Sequence, residues 1–290
     1  MITLHSGGAA VVVSPERGGA IQSWTLTTDG ECRSILAGHP TGETPAAFPM
    51  VPYCNRIAFG RFSWRNAPHQ LDLNFGEHPH AIHGVGWQRA WVVDSVSETS
   101  IALSLRHSGD TAWPFAFDAA LAYDLAPDSL SVTMRVTNRF DGPAPAGIGF
   151  HPYFPRRAGD LLTFRAAGVW MNDPDALPRA HGPVPPSWDH AAGRPVGAAV
   201  LDNCFTGWDG RAALGGKSAP VLIEADTVFG NLQVFTPDGA DFFCVEPVTH
   251  APDALNRAGS DPGQAMRTLT PGESLTGVIR LSTAVSGTAA

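Results

Sequence analysis

Positive charge is scarce in this chain of 290 residues, in which 19 Lys and Arg stand against 27 Asp and Glu, for a formal net charge of −8. No run of basic residues interrupts that balance. Nucleic acids are bound through basic faces, so the composition argues against nucleic acid as a partner. A negative balance of this kind favours solubility instead.

Long apolar runs, targeting signals and paired cysteines are also missing. No apolar stretch approaches the roughly 20 residues of a membrane-spanning helix, so no membrane association is expected. Residues 1–5 lack the basic start and apolar run of a signal peptide. The cysteines form no CxxC pair, which argues against zinc ribbons and thioredoxin-like motifs. They are Cys32, Cys54, Cys204 and Cys244. These absences predict a cytoplasmic protein with reduced thiols.

Motifs for bound cofactors and for serine hydrolases are absent as well. The chain has no Gly-x-Ser-x-Gly elbow, no P-loop and no dinucleotide-binding Gly-x-Gly-x-x-Gly. No nucleotide, flavin or pyridoxal cofactor is therefore expected, and the cofactor prediction is none.

What the chain does contain is a succession of short β-like runs separated by turn signals such as Pro237-Asp238-Gly239. The 31 Gly and 25 Pro disfavour long helices, and no helical period extends beyond about two turns. The runs are Ala10–Val13, Ile21–Leu26, Trp91–Val96, Ile101–Leu105, Phe117–Tyr123, Leu130–Val136, Val221–Ala225, Leu232–Phe235 and Leu275–Leu281. They predict antiparallel sheets. The Pro-rich stretch 172–198 is interpreted as an excursion within a single domain, 1–290.

Glu246 follows the apolar run Phe242-Phe243-Cys244-Val245. A carboxyl group at the end of an apolar strand is poorly hydrated, so its pKa should rise toward neutrality, as a general base requires. The alternative is a structural carboxylate paired with a core histidine.

Two histidines share such apolar settings. His151 precedes Pro152, which restricts its backbone, and a histidine that titrates near neutrality can act as a general acid. His83 precedes Gly84, which permits close backbone approach, so a loop histidine facing a pocket is expected. Metal binding at His78, His80 and His83 is disfavoured, because no Cys or acidic partner follows at ligand spacing. Surface positions suit His78 and His80, while a packed core histidine is the alternative for His151.

Three further residue types suit a polar ligand. Arg56 offers a fork of donors for hydroxyls or a carboxylate, with a structural salt bridge as the alternative. Asp202 can grip two adjacent hydroxyls or belong to a plain turn. Tryptophans can stack on a sugar face or fill the core; the candidates are Trp87, Trp91, Trp113 and Trp208.

Taken together, these segments resemble the aldose 1-epimerase (galactose mutarotase) family. The matching motifs follow the family order through most of the chain: Asn55-Arg56-Ile57, His83-Gly84, His151-Pro152-Tyr153-Phe154, Asp202-Asn203-Cys204-Phe205, Glu246-Pro247, Thr249–Ala254 and Leu269–Ser274. The resemblance implies an all-β fold, a large antiparallel β-sandwich called a supersandwich, with few short helices and an open cleft on one sheet.

It also implies roles for the residues. Glu246 matches the general base, His151 the general acid and His83 a second active-site histidine. Asn55, Arg56 and Asp202 match substrate-binding positions, and Trp87 is added as a sugar contact. The chain departs from the best-known galactose mutarotases in having Pro152-Tyr153-Phe154, rather than Ser or Thr, after His151, and Val85-Gly86-Trp87 after His83-Gly84. These departures put galactose preference in doubt.

The implied activity is cofactor-independent interconversion of the anomers of a free monosaccharide. A hexose 6-phosphate epimerase is the nearest alternative; it would need several basic residues, for which Arg56, Arg61 and Arg89 are candidates. A non-catalytic sugar-binding module and a β-sandwich lyase or hydrolase are the others. The sequence does not predict an oligomeric state.

Overall fold

The structure, a computed structural model, describes residues 1–38, 44–257 and 264–283. Its strands are β1 (Ile2–Ser6), β2 (Ala9–Ser14), β3 (Ala20–Thr28), β4 (Glu31–Ala37), β5 (Ala47–Met50), β6 (Arg56–Ile57), β7 (Arg61–Trp64), β8 (Ala67–Gln70), β9 (Ala81–Ile82), β10 (Val92–Val96), β11 (Ser100–His107), β12 (Phe117–Ala126), β13 (Ser129–Asn138), β14 (Ala144–Ala146), β15 (Gly149–Pro155), β16 (Leu161–Phe164), β17 (Gly168–Asn172), β18 (Pro178–Gly182), β19 (Arg194–Pro195), β20 (Leu201–Thr206), β21 (Arg211–Gly215), β22 (Val221–Ala225), β23 (Asn231–Thr236), β24 (Phe242–Val248), β25 (Arg267–Leu269) and β26 (Ser274–Ser282).

Helix is confined to short 3₁₀ turns within these described ranges, at Ala58–Gly60, Gly86–Gln88, Pro186–Trp188 and Ala254–Asn256. The all-β prediction is therefore confirmed. Each of the nine β-like runs of the sequence coincides with a strand, with Trp91 the one residue that precedes its strand. The single domain over 1–290 stays a prediction, and part of it lies outside the described residues.

Two large sheets dominate the fold. The first has eleven strands in the order β1-β2-β3-β5-β15-β24-β23-β20-β17-β18, with β4 also paired to β3. The second has nine, in the order β10-β11-β12-β13-β26-β22-β21-β16-β19. Pairing between neighbouring strands in both sheets is antiparallel, as the frequent turn signals predicted.

The apolar core lies between the two sheets. In β12 of the second sheet, Leu121 and Tyr123 are buried while Ala122 between them is partly exposed, which is the alternation of a sheet with one covered face. Aromatic rings cross from sheet to sheet: Tyr123 contacts Phe150 of β15 with ring centroids 6.4 Å apart. This packing makes the fold a β-sandwich.

The centre of the first sheet is buried on both faces. Six of the seven residues of β24 are buried, and so are the first four residues of β15. Successive residues of a strand point to opposite faces, so both faces of the sheet are covered here. The segment between β5 and β10 covers part of the outer face, held by backbone hydrogen bonds from Val85 and Gly86 to the Val51 carbonyl, 2.9 and 3.0 Å long. This cover gives polar side chains on the outer face an apolar environment.

The Pro-rich stretch 172–198 is an excursion between strands of the sandwich. It contains β18, at the edge of the first sheet, and β19, at the edge of the second. The low β propensity of its Pro and Gly residues explains why its composition did not reveal these two strands.

Candidate active site

Strand β24 supplies the acid at the centre of the site. Its side chains alternate, so Phe243 and Val245 face the core between the sheets while Cys244 and Glu246 face outward. The strand continues two residues beyond Glu246, to Val248, so the acid lies within it rather than at its end.

Antiparallel pairing brings a histidine across from this acid. The register of β15 with β24 joins Tyr153 to Cys244. The same antiparallel register places His151, two residues before Tyr153, opposite Glu246, two residues after Cys244. His151 Nε2 lies 3.4 Å from Glu246 Oε1.

His151 and Glu246 belong to a row of cross-strand neighbours that extends over five adjacent strands of the first sheet. Its members, on one face and in spatial order, are Phe48, His151, Glu246, Gln233 and Cys204. A single cross-strand row thus holds residues that are distant in sequence.

Burial controls the protons of the central pair. Glu246 is 2% exposed, and burial, reinforced by the negative charge of Asp202, raises its pKa well above the usual carboxyl range. The elevation expected from its apolar strand is confirmed. Burial also lowers the pKa of His151 to about 3. The expectation that His151 titrates near neutrality is therefore wrong for this environment, and the pair holds its proton on the carboxyl side.

Aromatic rings fix the orientation of His151. Its imidazole packs against both Phe48 and Tyr153, with ring centroids at 4.5 and 4.8 Å and interplanar angles of 26° and 21°. These contacts hold the ring with its Nε2 edge toward Glu246.

His83 meets the pair from the covering segment. Its backbone has φ +59°, and the following Gly84 has φ +73° and packs so tightly on the Val51 carbonyl that a Cβ would overlap it, which confirms the close approach expected of Gly84. The His83 ring lies edge-on to His151, with centroids 5.1 Å apart.

The protonation state of His83 follows from its contacts. Its Nδ1 accepts a hydrogen bond of 3.2 Å from the Asn55 backbone amide, so Nε2 carries the proton of the neutral ring. Burial, and then the neighbouring His151, lowers the pKa of His83 well below the usual histidine range. His83 is thus a neutral hydrogen-bond donor.

Arg56 and Asp202 form an ion pair beside Glu246. Arg56 Nη2 lies 2.8 Å from Asp202 Oδ2, and Arg56 Nη1 donates to Asn55 Oδ1 at 3.1 Å. Gln233 Nε2 donates to Asp202 Oδ1 at 2.7 Å. The Asp202 side chain remains 29% exposed, so this network forms a rim that a ligand can reach.

Several buried polar atoms around the pair find no hydrogen-bond partner among the described residues. They are His151 Nδ1, Glu246 Oε2, Gln233 Oε1, Arg56 Nε and Asn172 Oδ1. A buried polar atom left without a partner costs about 1–3 kcal/mol. Such a concentration in one place is typical of a site that completes its hydrogen bonds with a polar ligand.

Trp87 adjoins the same group of rings. Its ring stacks on Phe48 with centroids 5.4 Å apart and stands perpendicular to His83 at 6.2 Å. It is half-buried, unlike Trp91, Trp113 and Trp208, which belong to the core. The structure thus brings together all seven predicted site residues: Asn55, Arg56, His83, Trp87, His151, Asp202 and Glu246.

The histidine-rich segment is not arranged to hold a metal. His80 Nδ1 accepts from the Phe59 amide at 3.0 Å, and His78 Nδ1 accepts from the His80 amide at 3.2 Å. These lone pairs are committed to the backbone, as is that of His83 Nδ1. His80 is fully buried, contrary to the surface position expected for it.

Three residues of the site were not singled out in the sequence. Phe48 and Tyr153 both pack against His151, and Gln233 links Asp202 to the row that contains Glu246. Gln233 carried a signal, because it is a polar residue inside the apolar run Leu232–Phe235. Phe48 carried none, since its place depends on the pairing of β5 with β15.

The fold is that of galactose mutarotase-like proteins. A solved structure of that description from Clostridium acetobutylicum superposes with a TM-score of 0.83 at 19% identity, covering 96% of this chain and 93% of that one. A solved structure from Escherichia coli K12 superposes with a TM-score of 0.86 at 30% identity, covering 97% of both chains.

Sequence comparison assigns the family. The model of the aldose 1-epimerase family matches residues 1–282. The uncharacterized protein YphB of Escherichia coli K12 is 31% identical over 292 residues, covering 96% of this chain and 97% of that protein. The chain belongs to the aldose 1-epimerase family, which supports an enzyme of the carbohydrate epimerase type.

Proposed function

We propose that this protein is an aldose 1-epimerase, a mutarotase that interconverts the α and β anomers of a free aldose. The observation that carries the proposal is the buried Glu246–His151 pair, 3.4 Å apart, beside buried polar atoms without partners among the described residues. An acid and a base that share one proton beside such unpartnered polar atoms suit ring opening and reclosure.

The reaction needs two proton transfers in each direction. Glu246 takes the proton of the C1 hydroxyl, and His151 gives a proton to the ring oxygen, so the C1–O5 bond breaks and the open-chain aldehyde forms. Rotation about C1–C2 presents the other carbonyl face, and the reverse transfers close the ring. Each acid–base partner contributes roughly 10²–10⁴-fold to the rate.

The resting position of the proton has to change when sugar binds. Burial favours the neutral pair, with the proton on Glu246 and His151 uncharged. A C1 hydroxyl that donates to Glu246 stabilises the carboxylate form, and the displaced proton then belongs on His151. Substrate binding therefore prepares the base and the acid together.

The surrounding residues suit sugar binding. Arg56 and Asp202, supported by Asn55 and Gln233, present donors and acceptors to adjacent hydroxyls. His83 directs its Nε2 proton as a neutral donor that can stabilise charge developing on the reacting oxygens. Trp87 offers an apolar face beside His83 on which a sugar ring can pack.

A hexose 6-phosphate is a weaker candidate substrate. Of the three arginines considered for a phosphate, Arg61 donates to Gln70 at 2.9 Å and Arg89 pairs with Asp110 at 2.6 Å, both at exposed positions. Arg56 reaches the site, but Asp202 holds its Nη2. A non-catalytic sugar-binding module, or a lyase or hydrolase, is favoured by no observation of comparable weight.

Polarimetry on freshly dissolved pure anomers tests the proposal directly. The panel contains free hexoses, pentoses and hexose 6-phosphates, with the spontaneous rate at each sugar concentration subtracted. We expect acceleration for at least one free aldose and little for the phosphates. No acceleration with any free sugar would refute the proposal, and acceleration confined to the phosphates would establish the alternative substrate class.

Four further expectations remain predictions: independence from cofactors, a cytoplasmic location, a monosaccharide substrate and the absence of a nucleic-acid partner. Within the described residues, no helix has both the length and the apolar character needed to cross a membrane.

A further inference from the structure

A third donor with a high affinity for metals lies beside the acid–base pair. Cys244 is fully buried and precedes Glu246 by two residues on β24, so both side chains leave the same face of the strand. The Cys244 Sγ, one ring nitrogen of His151 and one carboxyl oxygen of Glu246 all lie within 4.8 Å of one another. Three different donor types thus converge on one point.

The spacing is close to that of a tetrahedral metal site. Zn²⁺ binds imidazole nitrogen, carboxylate oxygen and thiolate sulfur at about 2.0–2.3 Å, which separates neighbouring ligand atoms by roughly 3.3–3.8 Å. The 3.4 Å between His151 Nε2 and Glu246 Oε1 falls in that interval. Closing the site around one ion therefore requires Cys244 Sγ, which lies within 4.8 Å of the other two donor atoms, to move toward them.

Charge also balances in such a complex. A thiolate and a carboxylate neutralise one divalent cation, and the imidazole binds as the neutral ring. An electroneutral assembly suits a site this deeply buried, where an uncompensated charge is strongly unfavourable. Thiolate favours Zn²⁺ or Cd²⁺ over Mg²⁺, which prefers oxygen ligands.

We propose that His151, Cys244 and Glu246 form an inhibitory site for a thiophilic divalent cation, Zn²⁺ or Cd²⁺. Binding forms three metal–ligand bonds and releases two protons to solvent, one from the Cys244 thiol and one from the Glu246 carboxyl. The His151 lone pair and a Glu246 oxygen are then occupied, so neither can exchange a proton with a sugar. The claim that the metal inhibits turnover rests on the proposed epimerase function, whereas the claim that the three residues bind the metal does not.

Metal binding is measured on the metal-free full-length protein under anaerobic conditions, by competition between the protein and a chromophoric chelator for Zn²⁺. All proteins carry Cys32→Ser, which removes an exposed thiol. The test variant is Cys244→Ser, and the matched control is Cys204→Ser, another buried cysteine of the same sheet face. Loss of a direct ligand should weaken binding by at least about 100-fold, since loss of an outer-shell partner already costs 10–100-fold.

We expect the parent and Cys204→Ser proteins to bind one equivalent of Zn²⁺ that Cys244→Ser loses. Equal Zn²⁺ affinity in the parent and Cys244→Ser proteins would overturn the site. Cys244→Ala and the thiolate-to-metal absorption band of the Co²⁺-loaded parent protein provide a second test if the serine variant does not fold. Absence of that band would also overturn the site.

Inhibition is measured separately, by polarimetry with an accepted sugar. Zn²⁺ should abolish acceleration by the parent protein and spare the rate of Cys244→Ser, and Mg²⁺ should affect neither. Activation by bound Zn²⁺, or full activity of the loaded protein, would refute the inhibitory role. If no sugar is accelerated at all, the proposed function fails while the binding measurement still decides whether the metal site exists.

Discussion

Replacing Glu246 with Gln separates a catalytic acid from a structural one. The amide has nearly the same shape, and its N–H can donate to His151 Nε2 across the existing 3.4 Å contact. It cannot accept and return a proton. Because Glu246 is 2% exposed and burial raises its pKa, folding at neutral pH forces this carboxyl group to take up a proton, a cost that the neutral amide lacks.

The Glu246→Gln substitution should therefore change kcat strongly and the free energy of unfolding little. Loss of the base should reduce kcat by roughly 10²–10⁴-fold, which corresponds to about 3–5 kcal/mol of activation free energy. The free energy of unfolding should stay the same or increase, since a buried ionisable group is removed. A structural ion pair would behave differently, because removal of one partner costs about 3–5 kcal/mol of stability.

The assay combines polarimetric initial rates with urea unfolding of the same preparations. The control is Glu224→Gln on β22, where the acid is 41% exposed and pairs with Arg211 at the surface; it should change neither quantity appreciably. A Glu246→Gln protein that keeps more than about a tenth of wild-type kcat refutes the role of general base. A large loss of stability would assign Glu246 to the structural alternative.

Three other perturbations test the remaining parts of the proposal. His151→Asn should lower kcat chiefly, by roughly 10²-fold or more, whereas Arg56→Ala and Asp202→Ala should mainly raise KM; initial rates on one accepted sugar distinguish the effects, and the opposite pattern would make Asp202 the proton-transfer candidate. Treatment with EDTA should leave activity intact or increase it, with metal analysis finding no required ion; lost activity that Zn²⁺ restores would contradict this expectation. The pH profile of kcat/KM should be a broad bell that includes neutrality. The Glu246–His151 pair holds one proton over a range of pH. The lower end of this range is the pKa of His151, lowered to about 3, and its upper end is the raised pKa of Glu246. The pair gains a second proton below this range and loses its only proton above it, so an acid limb near pH 6.5 would show that His151 is a solvated histidine.

Local pattern predicted most of the fold. Runs such as Phe117–Tyr123 and Leu130–Val136 alternate or are β-branched, and turn residues separate them, so strand positions could be assigned directly. The strand order could not be predicted from pattern, because it depends on pairings between distant segments such as β5 with β15 and β22 with β26. Strand β18 was missed because its Pro and Gly residues resemble a loop.

The site was predicted where a residue conflicts with its surroundings. Glu246 in an apolar run and His151 beside Pro152 are such conflicts, and the order of the motifs linked them to one family. The lowered pKa of His151 could not be inferred, because it depends on burial in the folded sheet, where residues of other strands such as Phe48 cover the ring. The Arg56–Asp202 contact, between residues 146 positions apart, likewise has no signal in either segment.

The cross-strand row that contains Glu246 has a consequence for how activity is acquired during folding. Its members come from β5, β15, β20, β23 and β24, so no hairpin or contiguous half of the chain contains the site. Contacts between segments so far apart in sequence form slowly, because a long loop must close before any of them is made. Partly folded chains should therefore be inactive rather than weakly active. Recovery of activity after dilution from denaturant would then report completion of the central sheet, and should lag behind the appearance of β structure at the edges.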